Sequence, residues 1–344
     1  MALALGAACN DGPTEAQGSG PLTIGPSTAS AGATETEGGD DDDDVSDDDD
    51  DATAGDDDDD DDDAADDDGP KFDTESPDGS IDMQEEEGCT KVDFLFVLDN
   101  SNSMATNQGE LIASFPEFVA AIESTLTDVE SFNVGVVTSD AYQFNAPGCT
   151  VEGAVVTQTG GVNSSNAVCD PFAAGHRYMT ELDDLPNDFA CAALVGTAGD
   201  NNEYMVGGML GALSPELNAA GGCNDGFIRE DALLVITLIT DEDDPGSSLI
   251  GSPGTPDQWF DQVVAAKGVA ENVVVLTLTR GAPGNACGPP QGSEVNGVRL
   301  MQFAAFFGAN GFTGDICAAS FGPFFEDAVG IIEDACESFM PPEG

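Results

Sequence analysis

A chain of 344 residues in which 67 Asp and Glu face only 7 Lys and Arg carries a formal net charge of −60. With so little basic charge to neutralise phosphates, nucleic acid is excluded as a partner, while cations and basic surfaces are favoured. No apolar run reaches the ~18 residues of a transmembrane helix, so no helix of this chain is expected to span a membrane.

The first nine residues, MALALGAAC, are apolar and end in small residues and a cysteine. They resemble the end of a bacterial lipoprotein signal peptide, which would make Cys9 the lipidated residue and place any basic region upstream. The chain is therefore expected in the bacterial cell envelope or secreted, touching a membrane only through that anchor. Residues 10–88 read as an acidic linker. Within them, residues 40–68 hold Asp runs of 5, 5, 8 and 3 broken only by Val, Ser, Ala, Thr and Gly. Such a segment repels itself and has too little apolar surface to offset chain entropy, so it is expected to be disordered. As a random coil, roughly 70 residues of this linker would reach on the order of 50 Å or more.

From Cys89 onward, apolar runs alternate with helical periodicity, the pattern of βαβ units. This part still holds 35 acids against 6 Lys and Arg, a surplus that a salty medium would screen. The first strand is VDFLFVLD (92–99), whose unbroken apolar run from Phe94 to Leu98 reads as buried on both faces. In the next segment Ile112, Phe115, Val119, Ile122 and Leu126 recur at helical spacing, and Pro116 is expected to kink or split that helix. FNVGVVTSD (132–140) is the second strand. Residues 142–168, rich in Gly, Thr and Val, read as a hairpin excursion. A helix over 201–213, a strand within ALLVITLITDEDD (232–244), a helix over 257–268 and a strand within NVVVLTLTRG (272–281) follow. A helix over 298–307, a strand near 314–318 and a closing helix over 324–339 complete the pattern. The fold class is α/β: a doubly wound, mostly parallel central sheet flanked by helices, within residues 89–340.

Besides Cys9 there are eight cysteines, Cys89, Cys149, Cys169, Cys191, Cys223, Cys287, Cys317 and Cys336. An even number without a CxxC pair, in a chain with a single histidine, points to disulfides and an oxidising compartment rather than to zinc. Eight cysteines allow on the order of 100 connectivities. Loop proximity suggests Cys89 with Cys336, Cys149 with Cys169, Cys191 with Cys223, and Cys287 with Cys317.

Two of the buried strands run directly into acids. The first is followed by Asp99, Ser101 and Ser103 in DNSNS, the third by Asp241 in TDEDD. In open α/β sheets, ligands bind in the crevice at the carboxyl ends of the strands. Oxygen donors from two such ends suit a hard divalent cation, Mg²⁺ first, with Ca²⁺ or Mn²⁺ as alternatives. Asp241 alone would be needed there, and Glu242, Asp243 and Asp244 read as a solvated loop, with a second calcium site as the alternative.

Asp-x-Ser-x-Ser after a first apolar strand, with Thr-Asp closing a later one, resembles the von Willebrand factor type A domain and its metal-ion-dependent adhesion site. The resemblance covers roughly residues 90–338. It implies that Asp99, Ser101, Ser103 and Asp241 hold the ion, with Thr197 of LVGTAGDNNEYM as the middle threonine. Were Thr197 not a ligand, Asp200 or Glu203 would take its place and favour calcium. The implied function is a non-enzymatic adhesion module whose cation engages an acidic residue of a protein ligand. An assembly subunit in which the metal only stabilises, or cation binding by the poly-Asp segment, are the alternatives. Catalysis has little to stand on: the sole histidine, His176, has no nucleophile motif beside it, and no phosphate-cradling GxxxxGK occurs.

Overall fold

A computed structural model of the chain describes residues 88–342 apart from 203, 247–250, 285 and 291–294. The signal-like segment with Cys9, all of the acidic linker before Gly88, and Glu203 lie outside the described residues.

Three apolar runs become the central strands. They are β1 (Lys91–Leu98), β4 (Leu233–Ile239) and β5 (Val273–Thr279), the latter two buried along their whole length. With β2 (Ser131–Thr138), β3 (Met179–Thr180) and β6 (Gly311–Asp315) they form one sheet of order β3-β2-β1-β4-β5-β6. Every pairing is parallel except that of β3 with β2. Strands rich in Val, Ile and Leu suit this central place because both faces are covered by helices.

Alternation along each strand divides the core in two. Phe94, Phe96, Leu98, Val235, Leu276 and Leu278 face α1 (Ala105–Thr125), α2 (Leu185–Ala193) and α7 (Gly322–Glu337). Leu95, Val97, Leu234, Ile236, Leu238 and Val275 face α3 (Met205–Ala212), α5 (Pro256–Lys267) and α6 (Val298–Ala305). A single turn, α4 (Pro215–Asn218), sits between α3 and β4. The doubly wound α/β class expected from the sequence is the class observed.

Several local expectations need correction. Helix α1 runs unbroken through Pro116, because the proline ring lies on the exposed side, where a carbonyl that loses its helical donor can turn to water. The 142–168 excursion is a hairpin only at one bridge, Gln158 with Val168. The rest is held by polar side chains: Asn145 Nδ2 donates to Val155 O (3.0 Å), and Asn224 accepts from Val155 N (2.8 Å) while donating to Gly153 O (2.9 Å). The sixth strand lies at 311–315, three residues before its expected place, and β3, α2 and α4 had no counterpart in the sequence reading.

Four disulfides form, and two differ from the proximity rule. Cys89–Cys336 and Cys287–Cys317 are as expected, whereas Cys149 joins Cys223 and Cys169 joins Cys191. The Asn224 contacts bring Cys223 to Cys149. Ser165 Oγ donates to Cys191 O (2.8 Å), which lays α2 along the returning arm and brings Cys191 to Cys169. Bridges in this number belong to a chain that matures in an oxidising, extracytoplasmic compartment.

At the amino ends of the strands, Asp93 on β1 is wholly buried and paired with Arg229. Arg229 Nε and its backbone N–H donate to the two carboxylate oxygens at 2.7 Å each. Burial outweighs the guanidinium and pushes Asp93 up to about 6. Glu152 and Asp188 are also raised, with burial again the first cause, while Asp231, held by Lys91, is lowered. A carboxyl raised on folding takes up its proton in the folded state first. Its contribution is therefore complete below the unfolded pKa and is lost as pH rises through the folded one. Raised groups outnumber the lowered one, and acidification also relieves the self-repulsion of a strongly anionic chain. The melting temperature without divalent cations is thus expected to rise as pH falls from 7 toward about 4. Thermal unfolding in chelator at stepped pH checks this, and a melting temperature that drops steadily over that range would refute it.

Candidate metal centre at the switch between β1 and β4

The chain winds outward to β2 from one side of β1 and to β5 and β6 from one side of β4, so the winding reverses between β1 and β4. That is where doubly wound sheets open a crevice at their carboxyl ends. Register makes the two ends level: Leu98 stands opposite Ile239, and Asp99 N donates to Ile239 O at 3.0 Å. Asp99 is consequently beside Thr240, with Asp241 one residue further out.

Side chains, with the backbone N–H of Ser101, form one hydrogen-bonded chain from the interior to the surface. Asp99, wholly buried, accepts from Ser101 N at one oxygen and from Thr240 Oγ1 at the other, both at 2.7 Å. The Ser101 and Ser103 hydroxyls are 3.3 Å apart, and Ser103 Oγ donates to Asp241 Oδ1 at 2.9 Å. Ser103 is exposed and Asp241 partly so, which leaves the outer side open to solvent. Burial pushes Asp99 up to about 6; hydrogen bonds from Ser101 and Thr240 oppose the shift, and the Asp241 charge adds to it.

A supporting layer holds the first loop still. Gln108, buried on α1, donates to Asp99 O (3.1 Å) and Gly196 O (2.9 Å) and accepts from Gly196 N (3.0 Å). Asn100 donates to Asp140 Oδ1 (3.1 Å), and its carbonyl accepts from Gly199 N (3.0 Å). Gly199 is required there, since a Cβ would stand 2.3 Å from Asn100 Oδ1. These contacts join the first loop to the loop carrying Thr197. The Thr197 hydroxyl itself accepts from Asn163 Nδ2 at 2.9 Å. Asp200 is exposed, and its carboxylate accepts from Asn202 N.

The acids after Asp241 are not a solvated loop. Asp243 accepts from Arg299 N (3.1 Å) and Leu300 N (3.3 Å) at the start of α6. Asp244, wholly buried, accepts from Val206 N (3.0 Å) in the first turn of α3 and from the backbone N–H and hydroxyl of Ser252, both at 2.5 Å. Carboxylates suit helix N-termini, where unpaired N–H groups converge. Burial raises both carboxyls, and the hydrogen bonds and Arg299 oppose that shift.

The structure thus brings Asp99, Ser101, Ser103 and Asp241 together and adds Thr240, Gln108, Asn100 and Asp140, which sequence reasoning left out. Two of these had a signal. Thr240 stands inside the Thr-Asp dipeptide, and Gln108 continues the apolar stripe of α1, being three residues before Leu111 and seven before Phe115. Elsewhere, Cys287, Asp315 and Cys317 place ligand-type atoms within 4.8 Å of one another, but both sulfurs are consumed in the Cys287–Cys317 disulfide. His176 is exposed and stacks on Tyr178 at 4.8 Å.

The donor set passes an elementary test for a hard cation. It consists of oxygen alone, and neighbouring ligands of an octahedral ion bound at about 2.1 Å stand about 3 Å apart, close to the Ser101–Ser103 and Ser103–Asp241 spacings of 3.3 and 2.9 Å.

No family model matches the chain, and no curated protein matches it. Among solved structures it is similar to proximal thread matrix protein 1 from the mussel byssus, in two structures. Each is 14% identical with a TM-score of 0.38, covering 72% of this chain and 49% or 48% of that one. The chain spans about half the length of the solved protein it resembles.

Proposed function

We propose that residues 89–340 form a von Willebrand factor type A-like binding module, extracytoplasmic and non-enzymatic, that holds a divalent cation to engage an acidic residue of a protein ligand. The supporting observation is the hydrogen-bonded chain Thr240–Asp99–Ser101–Ser103–Asp241 at the switch between β1 and β4. Asp99, Ser101, Ser103 and Asp241 would hold the ion, Mg²⁺ by the small all-oxygen set, with Thr197 reached after a local change of partner. A bound ion supplies an electrophilic open position for a carboxylate. The two carboxylates would match the ion's formal charge of two while the hydroxyls add none, so no surplus negative charge on the protein's donors would repel a carboxylate at the open position. Buried Asp99 and the Gln108 clamp keep the inner donors in place, while exposed Ser103 faces the ligand.

Cation binding by the Asp runs before Gly88 would confuse a direct titration of the whole chain. Thermal stabilisation avoids this, because it reads only binding to the folded state in excess of the unfolded one. At matched ionic strength, Mg²⁺ at a hundredfold excess over its dissociation constant is expected to stabilise the protein by about 2.7 kcal/mol. The Asp99→Ala variant is expected to lose that gain. A variant that keeps the full gain would remove the site from consideration, and a glutamate-bearing partner should bind only the Mg²⁺-loaded wild type.

A further inference from the structure

The three residues after Asp241 are clamped by the elements around them. Glu242 N donates to Thr240 Oγ1 (3.1 Å), and Glu242 O accepts from Thr279 Oγ1 (3.1 Å). Asp243 is bound at the start of α6, and Asp244 at the start of α3 and by Ser252. Arg299 closes the clamp. Its backbone N–H goes to Asp243, its Nη1 donates to Asp244 O (2.5 Å), and its Nη2 donates to Gly254 O. The guanidinium carbon lies 4.3 Å from the centre of the Trp259 ring, and Trp259 is itself held by Nε1 donating to Pro253 O (2.7 Å). Gly246, at φ +58°, makes room for it: a Cβ there would stand 1.6 Å from Nη1.

We infer that Arg299 is a positioning residue of the proposed cation site, setting the Asp241 carboxylate through Asp243 and Asp244 without touching the ion. The inference rests on the cation-binding reading above. A planar guanidinium is suited to this work because it donates to two carbonyls in a fixed fork and stacks on an indole at once. Asp243 and Asp244, although acidic and close to a proposed ligand, serve as loop anchors: their oxygens bind the first turns of α6 and α3 and Ser252, outside the chain that joins Thr240, Asp99, Ser101, Ser103 and Asp241.

The test uses the full chain and reads the Mg²⁺ concentration needed for half of the maximal rise in melting temperature. Arg299→Met is expected to raise that concentration about tenfold or more, the usual effect of removing an outer partner of a metal ligand. Arg299→Lys, which keeps a donor and a cation over Trp259, is expected to recover much of the loss. Ile122→Ala, on the buried face of α1 in its last turn, lowers the melting temperature by a cavity and should leave the Mg²⁺ concentration unchanged. If Arg299→Met needs no more Mg²⁺ than wild type, or if Ile122→Ala shifts it equally, Arg299 has no positioning role and the cation site stands without it. If wild type gains nothing from Mg²⁺ while folded, the cation reading fails and this inference falls with it.

Discussion

Arg229→Ala is expected to cost about 3–5 kcal/mol of unfolding free energy at pH 7, the range for breaking a buried ion pair by removing one member. The size follows from what is left behind. Asp93 is inaccessible to water, and of its two donors at 2.7 Å the variant loses the charged one, Nε, and keeps only the backbone N–H of residue 229. The same guanidinium also donates to Ser131 Oγ (2.7 Å) and Val92 O (2.9 Å), so its loss leaves further acceptors at the sheet's amino edge without it. Removing both members behaves differently. Asp93→Leu with Arg229→Met is expected to recover most of the stability, because an apolar pair carries no desolvation penalty. Denaturant unfolding of the two variants separates these effects, and a loss below about 1 kcal/mol for Arg229→Ala would mean that water reaches Asp93. The penalty is also expected to shrink toward pH 5, since a carboxyl already raised to about 6 escapes an orphaned charge by taking up a proton.

How much of this was legible beforehand depends on the kind of interaction involved. Strands β1, β4 and β5 were readable because burial on both faces demands unbroken apolar runs, and Asp99 and Asp241 were readable because those runs end at them. The sheet itself told less at its margins. Strand β3 is two residues, Met179 and Thr180, and depends on pairing with Asn133 and Val134 rather than on any pattern of its own. Disulfides Cys149–Cys223 and Cys169–Cys191 join segments 74 and 22 residues apart, and the polar contacts that choose them involve Asn224 and Ser165, whose partners are backbone groups without sequence identity.

The acids after Asp241 failed for a physical reason of a different kind. Carboxylates were expected to seek solvent, and in most settings that holds. Asp243 and Asp244 instead follow a strand that ends between two helix starts, where converging N–H groups replace water. Position relative to α3 and α6 decides their role, and that position exists only after the sheet has formed. Gln108 is the converse case: a polar residue on an otherwise apolar helical stripe signals a buried bonding task before any fold is known.

Removing the Cys89–Cys336 bridge by Cys89→Ala and Cys336→Ala is expected to be at least as costly. The bridge closes a loop of 247 residues, and in the chain-entropy model a loop of that order is worth about 5 kcal/mol. The other three bridges lie within it and shorten the path, but the dependence on length is logarithmic, so they change the figure little. Locally the bridge fastens the entry to β1 onto the end of α7, and Cys89 N donates to Cys336 O at 2.9 Å beside it. A pull on the chain before Gly88 is therefore carried covalently to α7 instead of peeling β1 from the sheet, and with β1 goes Asp99. Two measurements follow on the same double variant without reductant. Denaturant unfolding is expected to show the loss of about 5 kcal/mol. Single-molecule pulling from the N-terminus is expected to show β1 released at lower force. A double variant as stable as wild type would mean that the unfolded chain is already restrained by the inner bridges, and one with unchanged unfolding force would mean that β1 is held by its two parallel neighbours alone.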